Sequence, residues 1–151
     1  MSHMIKLEEL SAGNIVRLVS HPMKPLVTVV NTSYGHWAPF VNITNKNLDI
    51  FDEHHHLDDI DTVELTEELC EKMGLTTDGD HTLQGSGRYR KLFGDTEIEI
   101  RPRDHYLRLR YHDDAWYTHL ETDQCRYLHQ LQNFLSNCNT LTTLCYLAKF
   151  E

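Results

Sequence analysis

The sequence predicts an α+β fold. It begins with a small, strongly curved antiparallel β-sheet or partial barrel, followed by a short helix, β-hairpins and a C-terminal amphipathic helix. Three observations lead there. The first sixty residues alternate short Val- and Ile-rich runs with turn formers, residues 81–120 return to a period of two, and apolar residues near the end recur at helical spacing.

Taken in order, strands are expected at 14–19 (NIVRLV), 25–31 (PLVTVVN), 38–43 (APFVNI), 48–51 (LDIF) and 61–65 (DTVEL). His21-Pro22, Ser33-Tyr34-Gly35 and Asn45-Lys46-Asn47 punctuate them. Thr66 is a good N-cap for a helix over 67–73, because its hydroxyl can accept from a free N–H of the first turn. Glu67 and Glu68 suit the positive end of the helix dipole, and Gly74 suits a left-handed exit. Leu69, Cys70 and Met73 supply the buried face of that helix.

Further strands follow in RYRKLF, TEIEI, YLRLRY and AWYTHL. Their alternation puts Ile98 and Ile100 on one face, as it does Leu107, Leu109 and Tyr111, while Glu97, Glu99, Arg108 and Arg110 point the other way. Pro102-Arg103 is the turn between the two strands, proline being pre-set for its first central position. A last helix is expected over 123–137, capped by Thr122 or Asp123, with Tyr127, Leu128, Leu131, Phe134 and Leu135 as its core stripe. His129, Gln132, Asn133 and Ser136 cluster opposite. The tail LTTLCYLAKFE is apolar enough to dock as a strand or helical turn.

A chain of 151 residues is long enough to bury a core, and residues 4–151 are expected to form one domain, β-rich over 4–65 and mixed over 66–151. Residues 1–3 read as a cloning scar ahead of Met4. No run approaches the roughly 18–20 apolar residues that span a bilayer, so a soluble, cytoplasmic protein is expected, without membrane partners. Cys70, Cys125, Cys138 and Cys145 form no CxxC pair and read as reduced, mostly buried thiols.

Charge is unevenly distributed. Residues 49–80 hold twelve acids against one base, Lys72, whereas residues 88–110 hold seven of the fourteen bases. The net charge of −9 argues against duplex DNA as a partner, because that affinity rests on cations meeting phosphates. The basic stretch is the stronger positive signal. Arg88, Arg90, Lys91, Arg101 and Arg103 interleave with Tyr89, Tyr106 and Trp116. Guanidinium groups grip phosphate oxygens in pairs and flat rings stack on bases, so these eight residues are the expected site for a small anionic ligand such as a nucleotide. Arg108 and Arg110 are expected to ladder against Glu97 and Glu99 across the hairpin. On the last helix His129, Gln132, Asn133 and Ser136 offer directional donors and acceptors where solubility needs only Lys and Glu. They are expected to meet a neighbouring loop, a second subunit or a ligand.

Enzyme signatures are thin. The chain has no GxSxG elbow, Walker loop, HExxH or dinucleotide glycine pattern. In EHHHLDD at 53–59, only His54 and His56, with Asp58, can point one way from an extended segment, too few ligands for a structural metal site. Cys125 lies four residues before His129, beside the core stripe, and reads as packing rather than as a nucleophile. The expectation is a non-enzymatic protein without metal or cofactor.

Three stretches together resemble a family of small proteins carried by bacterial viruses and mobile elements of gut bacteria. They are Gly13-Asn14-Ile15-Val16, Leu65 to Glu68 with Gly74, and Tyr127 to Asn133 (YLHQLQN). The chain departs from that family at its end, where CNTLTTLCYLAKFE replaces a Thr-Gly-Glu-Glu-Leu type of finish. The resemblance implies a setting inside an infected bacterium, in which small viral accessory proteins act by binding, including sequestering parts of host immunity. Residues and resemblance together lead to the expectation of a homo-oligomeric sponge for a nucleotide-type signal. The alternative is an acidic protein-interaction module, built on 49–80, that inhibits a host protein.

Overall fold

In a computed structural model, residues 5–35, 37–77, 87–94, 96–113, 116–137 and 150 are described, with the backbone alone at 77, 111–113 and 116–119. The expected scar at 1–3, the docked tail up to 149, and Cys138 and Cys145 lie outside these residues. The chain divides into two compact units, Met1–Glu64 with Tyr127–Glu151, and Leu65–Arg126. The last helix therefore belongs with the N-terminal strands, whereas the sequence grouped it with the hairpins.

The first unit is a curled antiparallel half-barrel. Its strands are β1 (Ile15–Leu18), β2 (Leu26–Tyr34), β3 (Pro39–Asn45), β4 (Ile50–His56) and β5 (Ile60–Asp61), in the order β4-β3-β2-β1-β5. Alternation buries Val16, Leu18, Val27, Val29, Val41 and Ile43 on one face, where Leu7, Leu10, Ile50 and Ile60 join them. The register slips between Val29 and Asn31 and again between Ile43 and Asn45. Such bulges bend a strand and increase its twist, which is how so short a sheet curls. β4 runs five residues beyond the expected 48–51, because all three histidines continue the pairing with β3. β5 stops at Asp61, where 61–65 was expected. Beyond it the Val63 carbonyl accepts from Leu128 N at 2.8 Å, and Glu64 bridges to Tyr127.

Those same contacts explain why the last helix, α2 (Leu128–Asn137), starts late. With the backbone at 127 and 128 paired to 63 and 64, Thr122 or Asp123 cannot serve as its cap. Gln130 instead reaches back, its Oε1 accepting from Tyr127 N at 2.9 Å, which is half of a capping box. Leu128, Leu131 and Leu135 are buried as the stripe requires. The polar side is committed to the turn that precedes β1. Gln132 Nε2 donates to the Gly13 carbonyl at 3.0 Å while Gln132 Oε1 accepts from Ile15 N at 2.8 Å. Asn133 Oδ1 accepts from Asn14 Nδ2 at 2.8 Å, and Asn133 Nδ2 donates to the Glu9 carbonyl at 2.8 Å. Asn14 Oδ1 in turn accepts from Ser11 N at 2.8 Å. Two side-chain amides thus hold the turn much as a strand would, and Gly13, at φ 93°, supplies the left-handed conformation the turn needs. His129 is fully buried, its Nε2 3.4 Å from Glu9 Oε2 and its ring parallel to that of Tyr127.

The second unit opens with α1 (Glu67–Lys72). Thr66 Oγ1 accepts from Leu69 N at 3.2 Å, and Gly74, at φ 89°, closes the helix. Both ends match the expectation because both signals are local. A five-stranded antiparallel meander follows, with β6 (Thr76–Thr77), β7 (Tyr89–Phe93), β8 (Thr96–Arg101), β9 (Tyr106–Asp113) and β10 (Trp116–Thr122) in the order β10-β9-β8-β7-β6. Between β8 and β9, Pro102–Asp104 forms a single 3-10 turn that leaves through His105 at φ 54°. Ile98, Ile100, Leu107 and Leu109 are fully buried, as their alternation predicts.

The amide clasp has a measurable consequence. Gln132→Ala leaves the Ile15 N–H and Gly13 carbonyl without their partner and is expected to cost about 1–3 kcal/mol in urea denaturation, while Ser136→Ala, at an exposed position, stays within about 0.5 kcal/mol of the parent.

Candidate functional site

The face of the second sheet opposite Ile98 and Ile100 is built from arginine and glutamate. Pairing of β7, β8 and β9 sets Arg90, Glu99 and Arg108 side by side in one rung, with Glu121 of β10 beyond Arg108. On one side lies the rung of Leu92, Glu97 and Arg110. On the other, Arg101 stands opposite Tyr106, and Arg88 immediately precedes β7.

Glu99 is the centre of this face and is fully buried. Arg88 Nε donates to its Oε1. Arg108 Nη2 lies 3.5 Å from the same oxygen and 3.2 Å from Glu97 Oε1, and Arg90 Nε lies 3.9 Å from Glu99. Arg101 Nη2 is 3.1 Å from Oε2, an ion pair angled off the hydrogen-bond line. Removing a carboxylate from water costs several kcal/mol unless opposite charge meets it, and here four guanidinium groups do. Their own side chains stay between 17 and 36 % exposed, stems down and heads at the rim. The Nε atoms of Arg101 and Arg108 are buried without a hydrogen-bond partner among the described residues.

Among the described residues this face gathers five arginines (88, 90, 101, 108 and 110) around Glu97, Glu99 and Glu121. Tyr106 braces one end. Its hydroxyl donates to Glu121 Oε2 at 2.7 Å, and the Arg101 guanidinium sits over its ring at 4.8 Å. Burial, with help from the Glu121 bond, pushes the Tyr106 phenol above its ordinary range, so it stays a donor.

The sheet thus gathers Arg88, Arg90, Arg101 and Tyr106 from the expected site and separates the rest. Tyr89 and Lys91 fall on the opposite parity of β7. Tyr89 is buried, its phenol raised first by burial and then by Glu67, and the Lys91 ammonium stands 5.1 Å over the Phe93 ring. Arg103 leaves the cluster to pair with Glu67 at 3.2 Å, next to Gly87 (φ 71°), where a Cβ would come within 2.8 Å of the Glu67 carboxylate. Trp116 pairs with Asp113, five residues along β9 from Arg108 and so about 17 Å away at ~3.4 Å per residue; its side chain lies outside the description. Glu99 and Arg108 were missing from the expected set. Their signal was the register itself, since a turn at Pro102 sets Glu99 against Arg108.

Elsewhere, Gln132 and Asn133 hold the Gly13-Asn14 turn, His129 is buried, and Ser136 is exposed. The three histidines follow the alternation of an edge strand. The Phe40 ring lies against both His54, stacked at 4.4 Å, and His56, edge-on at 5.6 Å, while His55 faces Glu53 and Asp59. Among the described residues no group of three metal-binding side chains gathers. Cys125 is buried, which pushes its thiol up to about 12. No described helix is long and apolar enough to cross a membrane. Comparison with protein families, curated proteins and solved structures finds no match for this chain.

Two outcomes are expected. Glu99→Gln leaves four arginines without their common counter-charge and should cost about 3 kcal/mol in low salt, a loss that shrinks as added salt screens their repulsion. Cys125 should resist iodoacetamide in the native protein at mildly alkaline pH and react once the chain is unfolded in urea, scored by peptide mass, because its thiolate is scarce.

Proposed function

We propose that this chain is a non-enzymatic binding protein whose arginine face captures a small anionic ligand of the nucleotide type. The observation that carries this reading is the convergence of four guanidinium groups on a single buried carboxylate. A sheet that needed only stability would match its charges in pairs, as Arg103 and Glu67 do. Arginine heads gathered at the rim of one face are the arrangement that grips phosphate oxygens, in a half-buried setting where each charged hydrogen bond is stronger than in water. In the viral setting that the resemblance implies, capture would act as a sponge, lowering the free concentration of a nucleotide signal in the cytoplasm of the infected bacterium. A homo-oligomer that brings two arginine faces together would enclose the ligand, and is part of the same proposal.

A second reading, an acidic interaction module directed at a basic host protein, draws on the β4 edge. There Phe51, Asp52, Glu53 and His54 are exposed in succession, and Trp37, in the β2–β3 connection, is almost fully exposed. Asp52 holds a left-handed φ of 49°, a bulge that hinders simple strand addition along this edge, so the reading ranks second.

Thermal unfolding in low salt with linear and cyclic nucleotides tests the first reading. A ligand at about a hundred times its dissociation constant stabilises the native state by about 2.7 kcal/mol. That gain is expected for at least one nucleotide and should vanish in an Arg88→Gln/Arg101→Gln variant. A flat response across the whole series would remove the proposal.

A further inference from the structure

Resting on the anion-capture reading, we infer that the ligand carries a flat aromatic base, which stacks on the outer plane of the Arg101 guanidinium while its phosphoryl group meets Arg88. The ligand class is then a 5′-nucleotide and not a sugar phosphate or a bare anion. Tyr89 pairs with Ile100, which brings Arg88 level with Arg101, and Arg101 pairs with Tyr106. Thr122 pairs with Leu107, so the exposed Asp123 that follows comes level with Tyr106 on its far side. Across the sheet this rung reads cation, cation, ring, acid. An anionic group is drawn to the Arg88 end and kept from the Asp123 end, and whatever is joined to it lies over Arg101 and Tyr106. Adjacent strands are about 5 Å apart, so a ligand with one sugar between base and phosphoryl group reaches from one arginine to the next.

Arg101 is held as a stacking platform. Its guanidinium carbon sits 4.8 Å over the Tyr106 ring, and its Nη2 lies 3.1 Å from Glu99 Oε2. Tyr106 is itself fixed by the bond from its hydroxyl to Glu121 Oε2 at 2.7 Å. The ring supports the flat group from beneath and the buried carboxylate holds one edge. The Arg101 side chain is still 36 % exposed, and the plane turned away from Tyr106 is the surface that a ligand can reach. A guanidinium is planar, delocalised and more weakly hydrated than an ammonium, so a heterocycle displaces its water readily and gains cation–π attraction.

Arg88 supplies the other half of the seat. Among the described residues the group it is bonded to is Glu99, through Nε, which leaves its two Nη groups to donate to phosphoryl oxygens. Glu99 thus fixes both arginines from within, and the ligand adds on their outer side.

Calorimetry of the full chain in low salt at neutral pH compares adenosine 5′-monophosphate with ribose 5-phosphate, which share the phosphoryl group and the sugar and differ in the base. The nucleotide is expected to bind at least about ten-fold more tightly, within the range of one base stacked on a flat side chain. Arg101→Lys keeps the positive charge and removes the plane. It should bring the ratio to about three-fold or less, while ribose 5-phosphate keeps its affinity within about three-fold. Tyr106 acts through Arg101 and is a positioning residue, so Tyr106→Leu should lower the same ratio and Tyr106→Phe, which keeps the ring, should retain it. Each variant is verified as folded by circular dichroism. Equal affinity for the two probes overturns the inference and leaves the anion-capture reading standing. A ratio that survives Arg101→Lys also overturns it, by placing the base elsewhere. Binding of neither probe overturns it as well and, together with a flat response to the nucleotide series, removes both readings.

Discussion

A glutamate without access to water, ringed by four arginines, is the constraint around which the second unit is organised. Guanidinium groups on neighbouring strands sit close enough that each adjacent pair repels by about 3 kcal/mol at an effective dielectric of ~20. The sheet tolerates this because Arg88, Arg101 and Arg108 each approach Glu99 to about hydrogen-bond or ion-pair distance. Only the central strand of three can hold such a counter-charge, and β8 is flanked by β7 and β9. The apolar face beneath supplies the rigidity. Ile98 and Ile100 flank Glu99 in sequence and are fully buried, so the carboxylate cannot leave the cluster without displacing the core. Charge and apolar packing are therefore carried by alternate residues of one strand.

The first unit solves a different problem with neutral groups. Its helix must hold a turn in which the Gly13 N–H and Asn14 carbonyl pair with Val29 of β2 but the Gly13 carbonyl and Ile15 N–H face the helix, and it does so with primary amides. Each amide presents a donor and an acceptor on one rigid plane, which suits a peptide unit better than any charged side chain does. Gln132 uses both atoms on the Gly13 and Ile15 backbone, and Asn133 uses both on Asn14 and Glu9. Gly13 to Val16 and Tyr127 to Asn133, far apart in the chain, thus meet in one hydrogen-bonded network. Their joint presence has a structural cause that is independent of any ligand.

What could be read from the residues alone was whatever depends on neighbours in the chain. The α1 helix, from Thr66 to Gly74, was legible at both ends because a cap and a left-handed exit act within four residues. The buried faces of β8 and β9 were legible because a strand alternates, and so was the opposition of glutamate and arginine across their hairpin. The curled N-terminal sheet was legible from the length of its runs and the turns between them. Residue type also announced that the polar side of α2 makes directional hydrogen bonds.

The tertiary structure decided everything that depends on partners distant in sequence. Where α2 begins was settled by residues 63 and 64, whose pairing with 127 and 128 overrides the local cap at Thr122 or Asp123. How far β4 runs was settled by β3, because an edge strand accepts polar residues that propensity alone leaves in a loop. Above all, the division of the basic stretch into a face with Arg88, Arg90, Arg101 and Arg108 and a remainder with Tyr89, Lys91 and Arg103 follows from register and parity. A one-residue slip would reverse every assignment. Composition determined that arginines are plentiful here; which of them converge on Glu99 is fixed by strand order, because charges meet across the sheet and not along the chain.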